Sequence, residues 1–213
     1  YRPGLSATFR WTTTKGAVHF VKIARKADVG GQAALISALA RQLQGKAARE
    51  SEVAGFASQI GAIAYRAAAG QPFDAVLPAL TGAALARSTQ LMLGGLAALW
   101  ECDLPGQDPM DRADYLRRAE RSARIIATAD QDAGQRALAI LQQAAAASPA
   151  LRHRPIHGDM KLDHAFLDKE AVTLIDTESV KLGDPDHDLA LLEARLALHQ
   201  MQGSLTGGAA LAW

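Results

Sequence analysis

A single cysteine, Cys102, stands among 213 residues, so the chain can form no internal disulfide and no cysteine-built zinc site. A reducing, cytoplasmic setting is the simplest reading. An excess of either charge is also missing: 23 Lys and Arg face 22 Asp and Glu, for a formal net charge of +1. Neither nucleic acid nor an anionic membrane is therefore called for as a partner. No window of about 18 uncharged apolar residues occurs, which argues against a transmembrane helix. No signal peptide is visible, although the chain opens on Tyr1 rather than Met. What is present is ordinary for a globular protein, with 49% hydrophobic and 21% charged residues. The length suffices for one sizeable core or for two small lobes sharing a cleft.

Periodicity divides the chain. Phe9, Trp11 and Thr13 alternate with Thr8, Arg10 and Thr12, Lys15-Gly16 marks a turn, and Ala17 to Ile23 reads as the return strand of a hairpin. Gly30-Gly31 closes this strand region, and Leu35, Ile36, Leu39 and Leu43 predict a helix broken at Gly45. Val53, Phe56, Ala57 and Ile60 fall at i, i+3, i+4 and i+7 and predict a second helix. Extended runs are expected at 62–67 and 73–80. Beyond Leu80, helices are expected at 85–100, 111–128, 131–147 and 189–200, the middle two rich in alanine. The expected class is α+β, with a β-rich N-terminal lobe over 1–80 and a mostly helical lobe over 81–213 that holds a hairpin.

The chemistry concentrates between Arg154 and Pro185. Asp159 follows His157-Gly158, where glycine lets the backbone turn sharply and present the acid. Asp163 and His164 come soon after. Asp176 ends the apolar run 172–175 and, by period-two alternation, shares a face with Val172 and Leu174. A carboxylate on a buried face needs a cation, a metal or a hydrogen-bond donor. These acids and the histidine can hold a hard divalent cation, with Lys161 adding positive charge. Taken singly each has a structural reading: a turn residue, a strand-end cap, a hydrogen-bonded histidine, a solvated lysine. The ordered set is what chance does not readily produce.

That set resembles the aminoglycoside phosphotransferase and choline kinase superfamily, the small-molecule relatives of protein kinases. The family's H-G-D-x-x-x-x-N reads His157-Gly158-Asp159 through His164 here. Its I-D-x-E reads Ile175-Asp176-Thr177-Glu178, and its G-D-P-x-x-D-L-A reads Gly183-Asp184-Pro185 through Asp188-Leu189-Ala190. Three motifs in order and at the right spacing are a strong signal. The resemblance implies a two-lobed protein-kinase-like fold with a small antiparallel N-terminal sheet. It also implies an ATP-dependent kinase acting on a small-molecule hydroxyl, aminoglycoside-, sugar- or choline-like, with ATP and magnesium as cofactors.

Residue by residue, the resemblance implies that Asp159 is the base and that Lys161 serves the transferred phosphate. Lys22 would contact the ATP phosphates, held by Glu50 on the next helix, with Glu52 as the fallback. Gly4, in Pro3-Gly4-Leu5, would lie in the loop over the phosphates. Leu77 and Ala79 would belong to the segment joining the lobes, whose backbone meets adenine. Asp176, His164 and Glu178 are the candidate metal ligands, while His157 and Asp188 read as scaffolding. The resemblance also implies a missing strand before the phosphate loop and missing later helices, so a fragment or shortened member is expected. His164 is the departure, because imidazole suits magnesium poorly. The favoured reading has His164 bonding the loop and Asp176 holding one metal, with Asp163 or Glu178 assisting. Manganese in place of magnesium and a weakened site are the alternatives. A nucleotide-binding pseudokinase is the second functional reading.

Overall fold

The computed structural model describes residues 6–24, 28–147 and 150–203. β1 (Ser6–Thr12) and β2 (Val18–Ala24) form the expected hairpin, with Ser6 opposite Ala24. α1 (Val29–Leu43) follows, and Asp28 caps it by accepting the Gly31 N–H at 2.9 Å. Gly30 and Gly31 thus lie in the first turn of α1. A Cβ on Gly31 would come within 2.3 Å of Asp28 Oδ2, so the cap itself requires glycine there.

β3 (Ala48–Glu50), β4 (Val53–Ala57) and β5 (Ala62–Arg66) come next. The helix expected through Val53, Phe56 and Ile60 does not form. β4 is a strand, Ser58–Ile60 is one tight turn, and Gly61 at φ +63° swings the chain into β5. Phe56 and Ile60 are exposed while Val53 packs towards α1, so the four residues do not share one face. A short apolar run satisfies helical and alternating patterns alike, and here pairing with β5 decides. The first sheet, ordered β1-β2-β5-β4, is antiparallel throughout.

β6 (Gln71–Pro72) leads into α2 (Phe73–Val76) and a 3-10 turn at Leu77–Ala79, so the extended run expected at 73–80 is helical. Phe73 and Leu77, four residues apart, bury one face of it. Then come α3 (Gly82–Trp100), α4 (Arg112–Ala129) and α5 (Gln131–Ala147), followed by β7 (Arg154–Ile156), β8 (Ala165–Leu167), β9 (Val172–Leu174), β10 (Lys181–Gly183) and α6 (Asp186–Met201). A second sheet has the order β3-β9-β8-β6, and β10 pairs with β7. β3 runs parallel to β9, so a segment from the first third of the chain is built into the sheet that carries the motif hairpin. The first sheet ends at Arg66, and from Gln71 onward no described strand pairs into it.

The main core joins α3 to the underside of that hairpin through Phe73, Leu77, Met92, Leu96, Met160, Leu162, Val172 and Leu174. Gly95 lets α3 lie directly on β9, since a Cβ there would fall 2.0 Å from Val172 Cγ1. A smaller cluster of Val29, Ala33, Ile36 and Ile63 fastens α1 to the first sheet. Each fully buried Leu or Ile adds roughly 1.5–3 kcal/mol of apolar burial. No described helix is long and apolar enough to cross a membrane.

Candidate active site

The loop after β7 is held from behind. Gly158 turns at φ +77°, and a Cβ there would sit 2.9 Å from the Ser179 carbonyl oxygen. Asp188, fully buried in the first turn of α6, accepts the His157 and Gly158 backbone N–H groups at 2.8 and 2.9 Å. The Trp100 indole N–H donates to the same carboxylate at 3.3 Å. The His157 ring lies 2.9 Å from the Ile175 carbonyl through Nε2, tying this loop to the segment that bears Asp176. Asp159 is thereby fixed at the loop tip with its carboxylate 45% exposed, and the Lys161 ammonium lies 2.9 Å from it. Replacing Asp188 with Ala strips two buried N–H groups of their acceptor. We expect a loss of about 2–3 kcal/mol, read by urea unfolding.

The facing wall is built by a left-handed residue. β9 stops at Leu174, and Asp176 has φ +61°, alone among the described non-glycine residues. That conformation breaks the alternation expected from Val172 and Leu174. Those two are buried, whereas Asp176 is turned outward with 42% of its side chain exposed. Non-glycine residues rarely pay this steric cost except where a site requires it.

Lys22 crosses from β2 to meet it, its ammonium 2.7 Å from Asp176 Oδ1 and 3.2 Å from Glu178 Oε1. The Tyr65 hydroxyl on β5 donates to the same Glu178 oxygen at 2.6 Å. Burial opposes the charge on Lys22, but Asp176 and Glu178 outweigh it and hold the ammonium above its usual range. Burial likewise opposes the Asp176 charge, and Lys22 overcomes it, so the carboxyl stays below the ordinary range. Burial, then Glu178, drives the Tyr65 hydroxyl upward and keeps it a donor.

Glu50 does not hold Lys22. It lies at the end of β3, not on a helix, where Thr177 Oγ1 donates to its Oε1 at 2.7 Å and the Ser51 N–H at 3.0 Å. α1, the helix that does follow β2, contains no acid at all. Glu178 therefore takes the place beside Lys22 that Glu50 was expected to fill. Glu52 pairs with Arg66 at the surface. Burial holds the Glu50 carboxyl well above its usual range. A raised native value means the folded state binds the proton more tightly, so this group's contribution is lost as pH rises above the ordinary glutamate range. Glu50→Gln should thus gain stability relative to wild type between pH ~5 and ~8, measured by urea unfolding, and should keep activity.

Other expected residues fall as follows. Leu77 is buried in the main core, and neither it nor Ala79 borders the cavity beside Lys22. The segment that reaches this cavity from β5 carries Arg66 and Ala68. The spacing of Leu77 with Phe73 was the signal for burial. Gly4 lies outside the described residues. Asp163 is exposed in a 3-10 turn. His164 is buried, its Nε2 3.7 Å from Asp176 Oδ2. Burial, then the charge of Lys161, holds its imidazole below the usual range and so neutral. Tyr65 carried no sequence signal, because its partner Glu178 is 113 residues away.

The cavity beside Lys22 measures about 190 Å³ and has Phe20, Tyr65, Phe166 and Ile175 as apolar walls, with Lys22 and Asp176 at its polar end. Among the described residues no group of three or more His, Cys, Asp or Glu side chains is placed to cage a metal. Magnesium does not need one, since it is commonly held by one or two carboxylates together with substrate phosphates. The half-exposed Asp176 fits that demand. Glu178, committed to Lys22 and Tyr65, fits it less well, and so does a buried neutral imidazole.

The family model of the phosphotransferase enzyme family, APH, matches residues 2–199. The chain belongs to this family. It is a kinase-type, small-molecule phosphotransferase. Solved structures agree on the fold. The complex of APH(2")-IIia with GDP and kanamycin is 14% identical at a TM-score of 0.68, covering 99% of this chain and 82% of that one. Macrolide 2'-phosphotransferase MphH from Brachybacterium faecium is 20% identical at 0.55, covering 99% and 78%. The ternary complex of APH(2")-IIa with streptomycin and ATP is 13% identical at 0.54, covering 88% and 70%. No curated protein sequence matches the chain.

Proposed function

We propose that this phosphotransferase moves the γ-phosphoryl group of ATP to a hydroxyl of a small molecule, across the gap between Asp159 and the Lys22–Asp176 pair. The observation that carries this reading is the convergence of Lys22, from the first sheet, on Asp176 and Glu178, at the turn that follows β9 of the second. A lysine and an acid brought together from two sheets, next to an apolar cavity, suit a nucleotide whose base is buried and whose phosphates are at the polar end.

In this reading Lys22 leaves Asp176 on nucleotide binding and contacts phosphate oxygens, while Glu178 and Tyr65 keep its stem aimed. Asp176 would hold magnesium, and the ion supplies charge neutralisation on the phosphates. Asp159 orients the acceptor hydroxyl and takes its proton as the new O–P bond forms and the bond to the β-phosphate oxygen breaks, releasing ADP. Lys161, already paired with Asp159, offers its ammonium to the charge that spreads over the moving phosphoryl oxygens. Asp188 and His157 act on the chemistry only by holding the loop.

The test is phosphate transfer from γ-labelled ATP to a panel of hydroxyl compounds, with magnesium and then manganese. Transfer by wild type and its loss in Asp159→Asn support the reading. The buried His164, where the family motif has asparagine, favours one other outcome. Nucleotide binding without turnover under either metal would make the chain a nucleotide-binding module.

A further inference from the structure

A second cavity lies between α4, α5 and the start of α6 and measures about 470 Å³. Leu116, Leu141 and Leu151 give it apolar walls, and Arg112, Arg118 and His187 line it with basic groups. It adjoins the catalytic loop, because His187 in its lining precedes Asp188, which accepts the His157 and Gly158 backbone N–H groups just before Asp159. Lys181 reaches the same place, its Nζ 3.1 Å from where a Cβ on Gly158 would stand.

Charge decides what such a cavity admits. Two acids line it, Asp184 and Asp186, and both are paired with Arg152. Asp184 further accepts the Arg152 backbone N–H at 3.0 Å. Among the described residues, neither Arg118 nor Lys181 forms a salt bridge. Burial, then Arg118, holds the Lys181 ammonium below its usual range, and burial holds the His187 imidazole down with Lys181 assisting and Asp188 opposing. Helices α4 and α5 carry six arginines (112, 117, 118, 121, 124 and 136) against three acids (114, 120 and 132), with Asp111 and Asp130 at the ends of α4. A polyamine placed here meets Arg118 while both lining acids are already engaged by Arg152, and like charges at close range disfavour binding. A carboxylate or phosphate meets an unengaged guanidinium whose planar fork matches it.

Resting on the phosphotransferase reading above, we infer that the acceptor is a hydroxylated anion, seated in the α4–α5–α6 cavity with its anionic group on Arg118 and its hydroxyl towards Asp159. The aminoglycosides in the solved neighbours are polyamines, so this chain would take the opposite charge class.

The experiment compares matched acceptors: hydroxy-carboxylates (glycerate, gluconate, shikimate), sugar phosphates, neutral polyols (glycerol, glucose), and amino alcohols (glucosamine, choline, kanamycin). ADP release and phosphorylated product are measured for each, with binding of magnesium-ATP followed separately. The expected result is that the best acceptor is an anion. The first two groups tell a carboxylate from a phosphate. Arg118→Ala should raise KM for that acceptor about tenfold and leave KM for ATP unmoved, with partial rescue in Arg118→Lys. Preference for a neutral or cationic acceptor overturns the inference and leaves the kinase reading standing. ATP binding with no anion phosphorylated also overturns it. Failure to bind ATP at all sinks both.

Discussion

Asp159→Asn should lower kcat for phosphate transfer by about 10²–10⁴-fold, the range for loss of a positioned general base, with KM for ATP nearly unchanged. The split follows from where Asp159 sits. It is on the loop after β7 and outside the cavity beside Lys22, so the nucleotide should not sense its charge strongly. Its backbone is held by Asp188 through the two preceding residues, so the amide should sit where the carboxylate sat. Steady-state kinetics at saturating ATP measures the effect. A mutant that keeps more than a tenth of wild-type kcat would remove Asp159 from the role of base.

Lys22→Met should cost about 10²–10³-fold in kcat/KM for ATP, the scale for one preorganised charge on a reacting oxyanion. The more telling variant is Glu178→Gln. It keeps the side chain's size and leaves Tyr65 a carbonyl oxygen to bond, but it removes one of the two negative charges on the Lys22 ammonium. About tenfold in kcat/KM should go with it, from looser aim of Lys22. Glu50→Gln should leave kinetics near wild type, because Glu50 meets Thr177 and Ser51 instead. If the two glutamates behave the other way round, the assignment of Glu178 as the holder of Lys22 is wrong. Tyr65→Phe should show a smaller loss in the same direction as Glu178→Gln.

The parts of the site that were legible in the sequence are those carried by local backbone. Gly158 before Asp159, and Pro185 in the run up to Asp188, fix their acids through turn geometry and helix starts, which short motifs encode. The parts that were not legible depend on which distant segments meet. Glu50 looked like the partner of Lys22 because of its order along the chain. Parallel pairing of β3 with β9 instead carries it to Thr177. Asp176 was expected to follow the strand's alternation, but the chain leaves the strand at Leu174 and passes through a left-handed residue. Val53 to Ile60 carried a helical spacing by coincidence, and pairing with β5 made Val53–Ala57 the strand β4. In the same way Phe73 and Leu77, alternating enough to suggest a strand, sit on one face of a helical turn and fill the core.

The central claim is that Lys22 and Asp176 border the nucleotide site and that Asp159 faces its phosphate end. Its most direct test is a crystal structure with a non-hydrolysable ATP analogue and magnesium. The account predicts the base between Phe20 and Phe166, Lys22 on phosphate oxygens with Glu178 still beside it, the ion on Asp176, and the γ-phosphate facing Asp159. A nucleotide bound elsewhere, or phosphates directed away from Asp159 with Lys22 still locked to Asp176, would contradict it.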